Sequence, residues 1–351
     1  MKKRLALLLI IGSYSVATYS VSDNTLTVAM VGDIMMGTTY PDTMLPRHDG
    51  AQLFKDATPI LKRADVAVGN LEGTLCDAGA STKDTVSHAY AFRTPTIYAH
   101  HLRDAGFDFL SMANNHANDF GLEGIAATEH CLRQQGIKFA GLKNRTETAV
   151  IERNGLKIGL CAFGHNPYTI KHTDLSNVEH ILSKLRQQSD IIIVSFHGGA
   201  EGQRYAHLPD SMELFFKEKR GYLRQLAHFC VDHGADIVYG HGPHVVRATE
   251  VYKGRFIAYS LGNFCTPYGM NLKGISGHAP IIVINTDRNG RFLSGKIHSL
   301  KQLKGVGPRK DKTNGAARQI KRLSEEDVPH SEARIDEKGH ITRRQDSTMR
   351  R

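Results

Sequence analysis

Six times in this 351-residue chain an apolar, strand-like run stops abruptly at residues that carry chemistry. Residues 26–31 lead into Gly32-Asp33, and residues 65–68 into Gly69-Asn70-Leu71-Glu72. Residues 107–110 lead into Asn114-Asn115-His116-Ala117-Asn118-Asp119, and residues 190–196 into His197 and, four positions on, Glu201. Residues 235–239 run into Gly240-His241-Gly242-Pro243-His244, and residues 255–259 into Ser260-Leu261-Gly262-Asn263. The stretch Ile191-Ile192-Ile193-Val194 is apolar on both faces, as a central strand of a parallel sheet must be when both sides are covered. In open α/β sheets, ligands collect beyond the carboxyl ends of the strands. A single histidine at a strand end is more often a structural hydrogen-bonder than a ligand. Six coincidences at one edge reverse that expectation.

The connections support an α/β reading. Residues 122–135 space their apolar positions as a helix does and stop at Gly136, a natural C-terminal cap. Residues 175–187 form a second amphipathic helix, and residues 212–233 read as one long helical region. Residues 149–163 predict a hairpin around Asn154-Gly155, and residues 245–259 another across Lys253-Gly254. A last strand pair brackets Arg288-Asn289-Gly290, and a short amphipathic helix is expected near residues 316–323. The end of the chain, from Thr342 onward, is polar and reads as disordered.

Met1-Lys2-Lys3-Arg4 is a basic head, and the apolar run 5–11 that follows is far shorter than the roughly 20 residues a membrane span needs. With small residues at Ser15 and Ala17, residues 1–20 read as a cleaved secretory signal. The mature chain is then periplasmic or extracellular, with no transmembrane segment. The alternative is an uncleaved N-terminal membrane anchor.

The net charge of +10 invites a nucleic-acid hypothesis, so its location matters. Residues 2–4 carry three of the surplus charges. Residues 301–351, with fourteen Lys and Arg against eight Asp and Glu, carry six more. The body between them is nearly neutral, which argues against nucleic acid as a partner. The basic tail is a solvated end or a contact for an anionic polymer or surface. The five cysteines, Cys76, Cys131, Cys161, Cys230 and Cys265, are scattered without a close pair, and none reads as catalytic or metal-ligating.

Two carboxylates, several imidazoles and amide oxygens, without thiolate, suit a hard or borderline divalent ion such as Mn, Fe or Zn better than a structural zinc site. His241 and His244 sit on a Gly-Pro turn able to point two imidazoles into one cavity. A carboxylate such as Glu72 placed between two ions can bridge them at about 3.5–4 Å, a geometry suited to in-line attack of metal-bound hydroxide on phosphorus. His116 is then free to protonate the leaving oxygen, and Asp119 to hold its tautomer. No Gly-x-Ser-x-Gly and no phosphate-binding Gly-Lys-Ser/Thr loop is present, which argues against a serine hydrolase or a nucleoside triphosphatase.

The blocks Gly32-Asp33-Ile34-Met35-Met36-Gly37, Asn70-Leu71-Glu72-Gly73, Ala113 to Gly121, Ser195 to Glu201, Gly240 to Val245 and Tyr259 to Phe264 resemble, in order, the signature blocks of the CapA family of poly-γ-glutamate capsule biosynthesis proteins. That family is similar to the calcineurin-like metallophosphoesterases. The resemblance implies a single large domain, a four-layer α/β/β/α sandwich over residues 25–300, with a basic extension over 301–351. It implies two divalent ions: Asp33 and His244 on one, Glu72 bridging, and Asn115, His197 and His241 on the other. It makes His116 the general acid and Asp119 its partner, with Asn70, Asn114, Glu201 and Asn263 as supporting or substrate-orienting groups. The phosphoesterase pattern has a histidine two residues after its first Asp, where this chain has Met35, and it has Asp where this chain has Glu72.

Two functional readings follow. The first is an exported metal-dependent hydrolase of the phosphoesterase type, acting on a phosphorylated or polymeric envelope substrate in capsule biosynthesis. The second is a non-catalytic component of the capsule synthesis and export machinery that binds a poly-anion in the same metal-lined cavity.

Overall fold

The alternation of β1 (Thr25–Ile34) assigns its two faces: Leu26, Val28 and Met30 point one way, Ala29 and Val31 the other, and all five are fully buried. A strand buried on both sides needs a layer against each. The computed structural model, which describes residues 25–83 and 90–344, supplies both. The expected signal segment, residues 1–20, lies outside the described residues.

From β1 the chain passes through a short helix α1 (Thr58–Leu61) to β2 (Val66–Leu71). Helix α2 (Ala99–Ala105) then leads to β3 (Phe109–Ser111), and α3 (Gly121–Gln134) to β4 (Lys138–Ala140). β2, β3 and β4 lie parallel in sequence order beside β1. A second sheet follows. Its strands are β5 (Thr148–Arg153), β6 (Leu156–Phe163), β7 (Ile191–His197), β8 (Ile237–His241), β9 (Thr249–Tyr252) and β10 (Arg255–Ala258), in the order β9-β10-β8-β7-β6-β5. Helix α4 (Leu175–Arg186) connects β6 to β7, and α5 (Leu223–Asp232) precedes β8. The expected hairpin at Asn154-Gly155 is present, both residues having positive φ (52° and 70°), as a tight two-residue turn requires.

The chain then returns to the first sheet. β11 (Asn263–Cys265) runs parallel to the end of β1, while β12 (Ile281–Asp287) and β13 (Phe292–His298) extend the sheet antiparallel on β1's far side. The extension beyond residue 300 is woven in. Helix α6 (Gly315–Asp327) buries Ala317 and Ile320 in the core between the sheets, and the hairpin β14 (Ala333–Ile335) and β15 (His340–Arg343) pairs with β13. Thr342 and Arg343, expected beyond the ordered chain, therefore lie in a strand.

The two sheets pack face to face. Leu26, Val28, Val66 and Val68 meet Ile158, Leu160, Ile191 and Ile193 across the interface. Outside the first sheet, Val31 and Leu110 pack with Leu102 of α2 and with Ile125 and Leu132 of α3. Outside the second, Ile192 and Val194 pack with Val178 and Leu182 of α4 and Leu226 of α5. The result is the expected four-layer α/β/β/α sandwich.

One expected element is replaced. Instead of a long helix over residues 212–233, a hairpin of Glu213–Phe215 and Glu218–Gly221 precedes a shorter α5. The helical pattern was overridden by tertiary contacts: Glu213 is drawn into an ion pair with the fully buried Arg247, and Gly221 (φ 106°) breaks the chain before the helix starts. All five cysteines are free and buried, packed as small apolar residues. Among the described residues no helix is long and apolar enough to cross a membrane.

The two-sided burial of β7 predicts a large cost for a cavity there. Ile193→Ala is expected to lower unfolding free energy by about 2–5 kcal/mol, whereas Leu122→Ala, at a residue 70% exposed on α3, is expected to stay within about 0.5 kcal/mol. Chemical denaturation of both variants checks this.

Candidate metal centre

Because β1, β2, β3, β7 and β8 are parallel within their sheets, their carboxyl ends open at one edge. Register then places the polar residues side by side. Asp33 of β1 is paired with Asn70 of β2 on one flank and Asn263 of β11 on the other, and His197 of β7 is paired with His241 of β8. Close main-chain approach is built in at Gly32, where a Cβ would lie 1.9 Å from the Gly262 carbonyl oxygen, and at Gly242, where it would lie 2.2 Å from that of Gly198. Only glycine fits at either position.

Asp33 and Glu72 are both fully buried. The Asn70 amide ties them, its Nδ2 donating to Asp33 Oδ1 (2.9 Å) and to Glu72 Oε2 (2.8 Å). Asn114 supports Asn70 in turn: its Nδ2 donates to Asn70 Oδ1 and to the Leu71 carbonyl, both at 2.9 Å. His244, in the left-handed region (φ 57°), lies across the pair. Its Nδ1 is 3.0 Å from Asp33 Oδ2 and 3.1 Å from Asn263 Oδ1, and its Nε2 is 3.7 Å from Glu72 Oε1 and 4.0 Å from Glu201 Oε2. His241 Nδ1 stands 3.1 Å from Asp33 Oδ1, and His197 Nε2 stands 3.4 Å from Glu72 Oε2.

The field here is that of a negative site short of cation. Burial pushes the Glu72 carboxyl well up, and the neighbouring Asp33 pushes the same way. Burial alone would raise Asp33 too, but the His241 and His244 imidazoles outweigh it and hold Asp33 well below the usual carboxylate range. Burial opposes charge on His244, yet the carboxylates of Glu72 and Asp33 win and raise it to about 10. Burial holds His197 well below its ordinary value, as a neutral imidazole.

The donor set fits a divalent ion. The ligand atoms of Asp33, Glu72 and His244 lie within 4.8 Å of one another. Six buried polar atoms at this edge make no hydrogen bond: Glu72 Oε1, Asn115 Oδ1, and both ring nitrogens of His197 and of His241. Each buried polar atom left unsatisfied costs about 1–3 kcal/mol, and a cation shared among them would remove the cost. Asn115 Oδ1 is likewise buried and unbonded. The structure gives it no hydrogen bond to the other members. Met35 is buried and its sulfur accepts from the Gly37 N–H at 3.3 Å, so it is engaged by its own loop.

His116 stands beside the cluster. Its Nδ1 is 2.9 Å from Asp119 Oδ2, and its N–H donates to Asn114 Oδ1 (3.0 Å), locking it to the Asn114 loop. Its Nε2 makes no hydrogen bond among the described residues. Burial lowers the His116 pKa, with Asp119 opposing and Lys83 adding to the shift. Lys83 is the residue that sequence reasoning missed. Its ammonium lies 2.7 Å from Asp119 Oδ1 and 2.9 Å from His116 Nδ1, although it is 33 positions away on an irregular loop with no pattern to mark it. His165 was also missed: it is half-buried, its ring centroid is 5.7 Å from that of His197, and burial of the ring lowers its pKa to about 4. Its signal, Gly164-His165 at the end of β6, repeats the strand-end pattern of the other sites.

Glu201 reaches the rim through a chain of ions. Arg220 donates to Glu201 Oε1 (2.9 Å) and Glu218 Oε2 (2.8 Å). Beneath this rim Arg247 makes a two-pronged pair with Glu213, at 2.8 and 2.7 Å, while Glu213 Oε2 also accepts from the Ala200 N–H. This pair pins the loop that carries Glu201. Glu213→Ala, which strands the Arg247 guanidinium without a carboxylate in the interior, is expected to cost about 3–5 kcal/mol. Glu213→Ala/Arg247→Met is expected to recover much of that loss, and denaturant unfolding reads both.

Comparison with known proteins agrees with the fold. A family model described as "Bacterial capsule synthesis protein PGA_cap" matches residues 27–268. Curated relatives include a PGA biosynthesis protein CapA of Bacillus subtilis, 31% identical, aligned over 72% of this chain and 66% of its own length. A capsule biosynthesis protein CapA of Bacillus anthracis is 28% identical over 70% of this chain and 60% of its own. The chain thus spans less than two thirds of the length of each. Among solved structures, one described as a novel phosphatase, from Mycoplasma pneumoniae, superposes with a TM-score of 0.51 at 14% identity, covering 82% of this chain and 95% of that one. At that identity the likeness is one of fold.

Proposed function

The chain belongs to the bacterial capsule synthesis protein family, and from that premise we propose that it is an exported metal-dependent hydrolase of the phosphoesterase type. Its substrate is a phosphorylated or polymeric envelope component of capsule biosynthesis. The observation that carries the reading is the convergence of Asp33, Glu72 and His244, with ligand atoms within 4.8 Å of one another, beside His197 and His241 at one strand edge where six buried polar atoms make no hydrogen bond. Asp33, Glu72, Asn115, His197, His241 and His244 would hold one or two divalent ions. Such ions, when bound, supply Lewis acidity toward a phosphoryl oxygen and lower the pKa of water.

The chain's own residues supply the rest. Asn70 and Asn114 fix the two carboxylates so that no reorganisation is needed when substrate arrives. Asp119, 2.9 Å from His116 Nδ1, favours the imidazolium form against burial, and that form would protonate the leaving oxygen from Nε2, which the chain leaves without a hydrogen bond. Lys83 holds Asp119 in place from the other side. Asn263 steadies His244, and Glu201, 4.0 Å from His244 Nε2, faces the substrate side. The N-terminal basic-then-apolar pattern of residues 2–11 supports export.

A second reading is a polymer-binding member of the capsule machinery without turnover. Met35 favours it, since its position carries a histidine in the phosphoesterase pattern and its sulfur is turned to the Gly37 N–H.

Elemental analysis of protein purified without chelator decides the first step. About two first-row ions per chain, lost in His241→Ala/His244→Ala, are expected; absence of bound metal in the parent protein would sink the hydrolase reading. His116→Ala is then expected to retain the metal while lowering kcat on a phosphoester by about 10²–10⁴-fold. An unchanged rate in that variant would remove His116 as the proton donor, whereas no turnover by the metal-loaded parent protein would favour the binding reading.

A further inference from the structure

The hairpin that stands in place of the expected helix carries an unusual turn. Its strands, Glu213–Phe215 and Glu218–Gly221, are joined by Phe216 and Lys217 alone, and both have positive φ (47° and 66°). Two-residue turns of this kind favour Asn-Gly, and a bulky aromatic residue in the left-handed region is strained. Interior packing does not account for the choice, because Phe216 is 85% exposed. Leu214 (59% exposed) and Met212 (44%) stand at alternate positions before it. Of the eight large apolar side chains exposed among the described residues, three therefore gather at this one tip. The intervening residues face inward: Glu213 pairs with Arg247, and Phe215 meets Tyr205 edge-on (centroids 6.0 Å apart) with the Arg220 guanidinium 5.2 Å from its ring.

The base of the hairpin is braced while its tip is free. Glu213 ties one strand to Arg247, and Arg220 ties the other to Glu201 at the rim of the metal centre. Glu218, the exposed carboxylate of the second strand, accepts from Arg220 at 2.8 Å. Exposed cations surround the apolar tip: Lys217 in the turn, Lys219 opposite Leu214 in the register, and Arg204, which lies over the Tyr205 ring. Among the described residues none of the three pairs with a carboxylate. We propose that this tip is a contact for an anionic lipid bilayer, independent of whether the metal centre turns over substrate. Phe216, Leu214 and Met212 enter the boundary between headgroups and acyl chains, and Lys217, Lys219 and Arg204 meet the anionic headgroups. Lysine suits that depth, since its methylene stem can lie among apolar groups while the ammonium stays in water. A projecting tip of three apolar side chains is small for a stable protein interface, which buries about 800 Å² on each partner. A bilayer needs no shaped complement. Docked this way, the chain holds its metal-bearing edge toward the headgroups.

The chain contains no tryptophan, so Phe216→Trp places a single fluorescent reporter at the tip. In the full chain, its emission is expected to move to shorter wavelength on addition of vesicles of equimolar phosphatidylcholine and phosphatidylglycerol. It is also expected to lose at least about half its intensity when the acyl chains carry bromine, as a side chain at the headgroup boundary would. Leu293→Trp, at the opposite end of the first sheet, is expected to show neither effect. Because the readout is local to residue 216, attachment of the chain through another segment does not mimic it. Lys217→Ala/Lys219→Ala, added to Phe216→Trp, is expected to weaken the lipid titration by at least about tenfold. Both lysines are exposed, so the thermal midpoint is expected to stay unchanged. Emission that ignores the vesicles, or that shifts equally on phosphatidylcholine alone, would overturn the proposal. So would a shift that appears without lipid and grows with protein concentration, which would mark the tip as a contact between copies of this chain.

Discussion

Two carboxylates, Asp33 and Glu72, are held without solvent at the point where the two sheets open, and the rest of the edge is arranged around the cost of keeping them there. Burial and mutual repulsion both favour protonation of one of them. Against this the chain sets Asn70, donating to both, and His244, whose pKa the two carboxylates raise because it lies between them. His197 and His241 complete the ring beside Glu72 and Asp33, with nitrogens that make no well-formed hydrogen bond. The arrangement makes physical sense as a cradle for a small, highly charged cation, in the protein's own terms of charge, burial and unfilled valence.

The cradle depends on parallel pairing. A one-residue slip between β1 and β2 would take Asn70 from beside Asp33 and turn the alternating core faces inside out. Register is held by two-sided burial of the strands and by glycines such as Gly32 that let the β11 connection approach within contact of β1. Behind the rim, the Arg247–Glu213 pair fixes the loop after β7 from below. The hairpin that holds Glu213 is the segment whose sequence looked helical, so the site drew a local preference into a different structure.

Much of this edge was legible beforehand because strand ends leave a plain signal: an apolar run, then polar residues, in most cases with a glycine beside them. That signal located Asp33, Asn70, Glu72, His116, Asp119, His197, His241, His244 and Asn263, and the family blocks ordered them. It could not find Lys83, whose place beside Asp119 depends on how an irregular loop is folded back. Nor could it show that Asn70 bridges two carboxylates while Asn115 makes no hydrogen bond, since both are simply asparagines at strand ends. Thr342 and Arg343 misled for the opposite reason. Their polarity suggested a loose end, but they lie in the strand that pairs with β13, while the helix expected near residues 316–323 is present as α6, docked through Ala317 and Ile320.

The sequence by itself determined the α/β alternation, the two-sided burial of the central strands and the identity of the groups at their ends, because periodicity and residue type are local properties of the chain. Only the tertiary structure decided which of those groups meet, that several of their buried atoms make no hydrogen bond, and that the basic charge of the extension converges with body residues on a cavity. Those are properties of distances between segments far apart in sequence, fixed by packing and register, and no pattern along the chain records them.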